Sequence, residues 1–276
     1  MSDLNELVSP TLLAGTSAFV TGGGSGINLA IAHAPASVGA DIAICGRSAE
    51  KLEAAAGELR AHGTDTLAVA ADVRRPEDLK AAVDTAAERF GRLDTMVCGA
   101  AGNFFAPAEA LSPNGFRTVV DIDLLGSFHA ASAAFEHLRA SRGSVLFISA
   151  GQAYLPFANQ CHVGAAKAGV DNLMANLAFE WGRFGIRSNS LVPGPIAGTE
   201  GMQRLSEPAG AGVWTEAVPL GRFGEPHEVA AMAVVLSSPL AAYVTGARVV
   251  VDGGLGLSGL GAISRAVTAE PAGSRS

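Results

Sequence analysis

The run Thr21-Gly22-Gly23-Gly24-Ser25-Gly26-Ile27 has the residue types to hold a phosphate. Residues without a Cβ let the backbone close on a diphosphate, and the free N–H groups of a following helix favour its charge. The backbone of Gly22, Gly24, Ser25, Gly26 and Ile27 is therefore the candidate cradle of a dinucleotide. Further on, Ile44-Cys45-Gly46 leads into Arg47-Ser48, a guanidinium and a hydroxyl at the place where a carboxylate would select ribose hydroxyls. That pair suits a phosphate dianion and points to NADP(H). The plain alternative is a surface arginine that begins a helix. Asp72-Val73 could border an adenine, or Asp72 could be a turn residue ahead of a helix.

Two charged residues sit in unusual company. On a helix beginning near Ser112, Phe116, Val119, Val120, Asp123, Ser127 and Ala130 share one face. A carboxylate on such a face needs a reason, and a buried cap or a subunit contact competes with a catalytic role. Asp121 can reach Arg117 one turn back and is expected to face solvent. Lys167 lies among Gly164, Ala165, Ala166, Ala168 and Gly169, which leaves room for a flat cofactor beside the helix. Its alternative is an exposed pair with Asp171.

The elements that position these groups alternate along nearly the whole chain. Short apolar runs at Ser17–Thr21, Asp41–Cys45, Thr66–Ala70, Thr95–Cys98, Ser144–Ile148, Arg187–Val192 and Arg248–Val251 predict parallel strands buried on both faces. Ser48 can cap a helix over Ala49–His62, and Pro76 opens one reaching Phe90, with Gly91 as its stop. Ser112-Pro113 and Glu225-Pro226 repeat the proline signature. Pro35 should kink the first helix. The reading is a single α/β domain over residues 1–276: a Rossmann-type, doubly wound, parallel seven-stranded sheet with helices on both faces and ligands at the carboxyl ends of its strands. Residues 1–14 and about 260–276 are expected to be loose ends.

Bulk properties narrow the function classes. With 276 residues, 49% of them apolar and 16% charged, the chain can bury a substantial core. A net charge of −7 argues against nucleic acid as a partner. Cys45, Cys98 and Cys161 are far apart, no CxxC or HExxH pattern occurs, and no metal site is expected. The start lacks the pattern of a secretory signal, and the end, Gly273-Ser274-Arg275-Ser276, is not an SKL-type address. The uncharged stretch 229–247 is interrupted by Ser237-Ser238-Pro239, so no membrane span is expected. Cytoplasmic localisation follows as the expectation.

The glycine turn combines with Ala100-Ala101-Gly102-Asn103, with Lys167 and with Pro193-Gly194-Pro195-Ile196. Together these resemble the short-chain dehydrogenase/reductase family over about residues 12–256. Asn28 stands where that family's pattern has its last glycine. Ordinary members carry a tyrosine four residues before the lysine and a serine seventeen before it; here those places hold Val163 and Ala150. The subgroup lacking the same two side chains is the 2,4-dienoyl-CoA reductases, especially the peroxisomal type. The chain is similar to them at Ala100 to Phe104, Asp121-Ile122-Asp123, His162 to Lys167 and Pro193 to Gly201.

The resemblance implies NADPH-dependent conjugate reduction of a 2,4-dienoyl-CoA to a 3-enoyl-CoA in fatty-acid degradation. It gives Lys167 to the nicotinamide ribose, and Ala100, Pro193, Gly194, Ile196 and Thr199 to the cofactor. Asn103 becomes a candidate donor, or a turn residue holding its own backbone. Phe104 and Arg204 fall where acyl chain and CoA meet the protein. A carboxyl at its reference pKa is protonated in only about one in a thousand molecules at pH 7, so Asp123 is read as holding a water that delivers the proton. Alternatives are another keto- or enoyl-thioester reductase, with Tyr154 as a displaced donor, or a non-catalytic NADP-binding scaffold. Ala- and Gly-rich helices near 113–140 and 161–184 suit close subunit packing. Family members usually form tetramers, so a homo-oligomer, tetramer or dimer, is expected.

Overall fold

The computed structural model describes residues 8–199, 202–203 and 211–260. Its strands are β1 (Ser17–Thr21), β2 (Asp41–Gly46), β3 (Thr66–Ala70), β4 (Thr95–Cys98), β5 (Ser144–Ile148), β6 (Arg187–Pro193) and β7 (Arg248–Val251). They form one sheet in the order β3-β2-β1-β4-β5-β6-β7, parallel throughout. The winding reverses between β1 and β4. There the loops after both strands diverge and open a crevice at their carboxyl ends.

The helices are α1 (Gly26–Ser37), α2 (Ala49–Leu59), α3 (Pro76–Phe90), α4 (Pro113–Val119), α5 (Gly126–Ser141), α6 (Cys161–Trp181), α7 (Ala211–Ala217) and α8 (Pro226–Ser237). Strand alternation supplies two cores. Val20, Ile42, Ile44, Val97, Leu146 and Leu191 pack with Ile31 of α1 and Val229 and Val234 of α8. Their neighbours Phe19, Ala43, Met96, Val145 and Phe147 point the other way, against α3, α5 and α6. Central strands covered on both sides need apolar residues at every position, which is why they read as continuous runs.

Several expectations change. Residues 9–14 are not loose: Leu13 is buried and its N–H donates to Val38 O at 2.9 Å. The helix beginning at Ala49 ends at Leu59 and closes in a 3₁₀ turn, Arg60–His62. Pro35 lies inside α1, two residues before its end at Ser37. The helix after Ser112 is not continuous, because a π-helical turn, Val120–Leu125, joins α4 to α5. The extra residue per turn removes Phe116 from the shared face and leaves it exposed, while Val119, Asp123, Ser127 and Ala130 are buried. Asp121 is half-buried and forms no ion pair with Arg117 among the described residues; its field acts on Arg74. No helix among the described residues is long and apolar enough to cross a membrane.

Candidate active site

A cleft of ≈ 910 Å³ occupies the crevice. One end, the candidate phosphate cradle, is the turn between β1 and α1. Gly22 and Gly26 take φ of 70° and 60°, conformations that L side chains avoid. A Cβ on Gly23 would fall 2.6 Å from Ile44 Cγ2, and one on Gly22 would fall 3.0 Å from Ala100 Cα. Ser25 makes no side-chain cap, and the first turn of α1 carries no acid, so its N–H groups stay open to an anion.

The loop after β4 is locked to this turn. Thr21 Oγ1 accepts the N–H groups of Gly99 and Ala100 at 2.9 and 3.2 Å. Asn28 Nδ2 donates to Gly99 O at 2.7 Å, and a Cβ on Gly99 would strike Asn28 Oδ1 at 2.3 Å. Asn28, in the place of the missing glycine, thus bridges two cofactor loops. Its Oδ1 is buried without a hydrogen bond.

At the far end, Arg47, Asp72, Val73 and Arg74 line the cleft. Arg74 Nε donates to both carboxylate oxygens of Asp72 at 3.0 Å, and its Nη2 packs against Oδ2. These hydrogen bonds, opposed by partial burial and helped by the Arg74 N–H and the charges of Arg74 and Arg47, lower the Asp72 pKa from 3.8 to about 2. The acid is thereby matched by Arg74. Arg47 makes no ion pair among the described residues and faces the cleft. Sequence reasoning missed Arg74, although the doublet Arg74-Arg75 after β3 carried the signal. Ser48 and Gly24 are not brought to the cleft wall: Ser48 Oγ caps α2 by accepting from Lys51 N at 3.4 Å, and Gly24 lies over Leu52 and Lys51.

At the reaction end, Lys167 and Asp123 come together. Lys167 Nζ donates to Ile148 O at 2.9 Å and lies 3.1 Å from Asp123 Oδ2. Asp123 Oδ1 accepts the Gly102 N–H at 2.7 Å, while Oδ2 has this cation as neighbour but no hydrogen bond. The π-turn aims the carboxylate inward, and Ser127 Oγ donates to the Asp123 carbonyl at 2.6 Å. Lys167 does not pair with Asp171, which meets Arg248 at 3.6 Å. Lys167 lines the cleft, whereas Asp123, 1% exposed, lies just beneath its floor. Val163 packs with Val119 and Ala166, filling the tyrosine's place with hydrocarbon.

Asn103, Phe104, Ile148, Ala150, Gln152, Pro193, Gly194, Ile196 and Thr199 also face the cleft. Thr199 Oγ1 is partly engaged, donating to Ile196 O and accepting from Met202 N. Tyr154, the displaced-donor alternative, is outside the cleft lining, against the Arg248 guanidinium at 4.6 Å, and burial raises its pKa. Arg204 lies outside the described residues.

Residues 22–256 match the family described as enoyl-(acyl carrier protein) reductase. The chain belongs to the short-chain dehydrogenase/reductase family. A peroxisomal 2,4-dienoyl-CoA reductase, (3E)-enoyl-CoA-producing, of Saccharomyces cerevisiae is 45% identical over 89% of this chain and 86% of its own length. One from Arabidopsis thaliana is 43% identical, over 90% and 87%. Among solved structures, a gluconate 5-dehydrogenase of Burkholderia cenocepacia in complex with NADP and tartrate superposes with a TM-score of 0.83 at 30% identity, covering 89% of this chain and 97% of its own.

Within this short-chain dehydrogenase/reductase, His162 is a further residue that sequence reasoning gave no role. Its ring is fully buried, 4.4 Å from that of Phe104, and neither nitrogen makes a hydrogen bond. Burial lowers its pKa, against the nearby Phe104 backbone and the Asp123 charge.

Proposed function

We propose that this short-chain dehydrogenase/reductase reduces 2,4-dienoyl-CoA thioesters to 3-enoyl-CoA with NADPH. The observation that carries the reading is the buried Asp123–Lys167 pair under a cleft in which Val163 and Ala150 replace the acid pair for carbonyl reduction. The cofactor fits the residues present: an open helix N-terminus beside glycines that tolerate no Cβ, and on the cleft wall the Arg47 guanidinium, which pairs with none of the described residues. NADPH, when bound in this cleft, would supply a hydride to C5 of the diene. Charge then spreads to the thioester oxygen, which needs donors rather than a phenol at a carbonyl carbon; we assign that role to Asn103, supported by its position on the cleft lining. Asp123 and Lys167 orient a water that protonates C2. Phe104, with Arg204 beyond the described residues, is assigned to the acyl-CoA.

The deciding assay follows NADPH oxidation with 2,4-hexadienoyl-CoA against acetoacetyl-CoA. Turnover of the diene alone is expected; turnover of the ketone alone overturns the reading. We also assign a homotetramer, supported by apolar side chains left uncovered on one chain, among them Phe179 at 89% exposure. Cytoplasmic residence remains the compartment proposed, supported by free thiols at Cys45, Cys98 and Cys161; the yeast and plant relatives carry peroxisomal names, and cell fractionation decides.

A further inference from the structure

Asn103 and Gln152 reach the cleft from different loops, and one buried side chain joins them. Gln160, 1% exposed, sits at the N-cap of α6. Its Oε1 accepts from Gln152 Nε2 at 3.0 Å, and its Nε2 donates to Asn103 Oδ1 at 2.6 Å. The three amides form a chain with a direction. Asn103 spends its oxygen on Gln160 and keeps its NH₂ for the cleft, while Gln152 spends its NH₂ and keeps its oxygen.

The surroundings hold that chain in place. The Ala106 N–H donates to Asn159 O at 3.0 Å, and the Phe104 ring packs against His162 at a tilt of 39°. Asn159 adopts φ of 64°, which turns the chain into α6. A Cβ on Gly164 would fall 2.9 Å from Gln152 O, so the Gln152 loop rests directly on the helix. Turning Gln160 alone would set donor against donor and oxygen against oxygen. The polarity changes only if all three amides turn together.

We infer that Gln160 is a positioning residue: it fixes the Asn103 amide with its NH₂ toward the cleft, as the donor that meets negative charge on the thioester oxygen. The identity of that oxygen rests on the dienoyl-CoA reading; the direction of the amide chain does not. Gln160→Leu removes the hold and lets Asn103 rotate. Gln160→Glu offers only acceptors, so Asn103 must donate to it and present its own oxygen to the substrate.

The test compares both variants with wild type on 2,4-hexadienoyl-CoA, with NADPH affinity and melting measured alongside. The expected order of kcat is wild type, then Gln160→Leu about tenfold lower, then Gln160→Glu about a hundredfold lower, at unchanged NADPH affinity. A purely structural role would not rank the nearly isosteric glutamate below leucine. A Gln160→Glu enzyme as active as wild type overturns the inference. A second measurement needs neither variant active: solvent exchange of ¹⁵N side-chain amides in the wild-type protein, assigned by signals lost in Asn103→Asp and Gln160→Leu. Fast exchange at Asn103 with protection at Gln160 is expected, and protection at Asn103 equal to that at Gln160 overturns it. Failure of the wild type to oxidise NADPH with the dienoyl-CoA sinks the functional reading and leaves the exchange result to decide the amide polarity.

Discussion

Asp123 and Lys167 are each costly to bury and are stable here because they are buried together. Removing one partner leaves an uncompensated charge, so Asp123→Ala is expected to cost about 3–5 kcal/mol and lower the melting temperature. Asp123→Asn keeps an acceptor for the Gly102 N–H. It should fold better, lose about 10²-fold or more in kcat, and bind NADPH as wild type does, by steady-state kinetics and a fluorescence titration. Arg47 answers for cofactor choice. Arg47→Ala should raise KM for NADPH about 10- to 100-fold, the value of a charge-assisted hydrogen bond, and leave KM for NADH nearly unchanged. Asp72 gives a pH signature. Its pKa is lowered on folding, so its stabilisation is complete above about pH 4 and is lost as pH falls toward 2. The melting-temperature gap between wild type and Arg74→Ala should therefore be open at pH 5 and close by about pH 2.

At the scale of elements, the site depends on places where backbones approach too closely for a side chain. The loops after β1 and β4 touch through Gly99 and Asn28, and Gly126 lies against Val73 beside the adenosine end. Gly99→Ala is expected to push Asn28 off its carbonyl and weaken NADPH binding about tenfold in a titration, with the circular dichroism spectrum retained. The strands were legible in the sequence because they are buried on both faces and written as unbroken apolar runs. The π-turn was not. Nothing in Val120-Asp121-Ile122-Asp123 departs from helical composition, and the turn packs against the distant α6, where a Cβ on Gly169 would fall 2.7 Å from Leu124 Cδ2.

As a whole molecule, one chain leaves large apolar side chains uncovered: Phe179 near the end of α6, Leu240 and Tyr243 after α8, and Leu257 near the C-terminal side. A single chain in water would expose more apolar surface than is favourable. Light scattering after size exclusion is expected to give a tetramer for wild type and a smaller species for Phe179→Lys. A monomeric wild type would refute the assembly.

The sequence by itself determined the order of strands and helices, the glycine turn after β1, the arginine after β2 and the loss of the tyrosine–serine pair. Those are local facts, written in residue type and short spacing. Only the tertiary structure decided that Asp123 meets Lys167 rather than solvent and that Gln160 hydrogen-bonds Asn103. Each of these joins residues brought together by the winding of the sheet, and no single stretch of chain carries the distance between them.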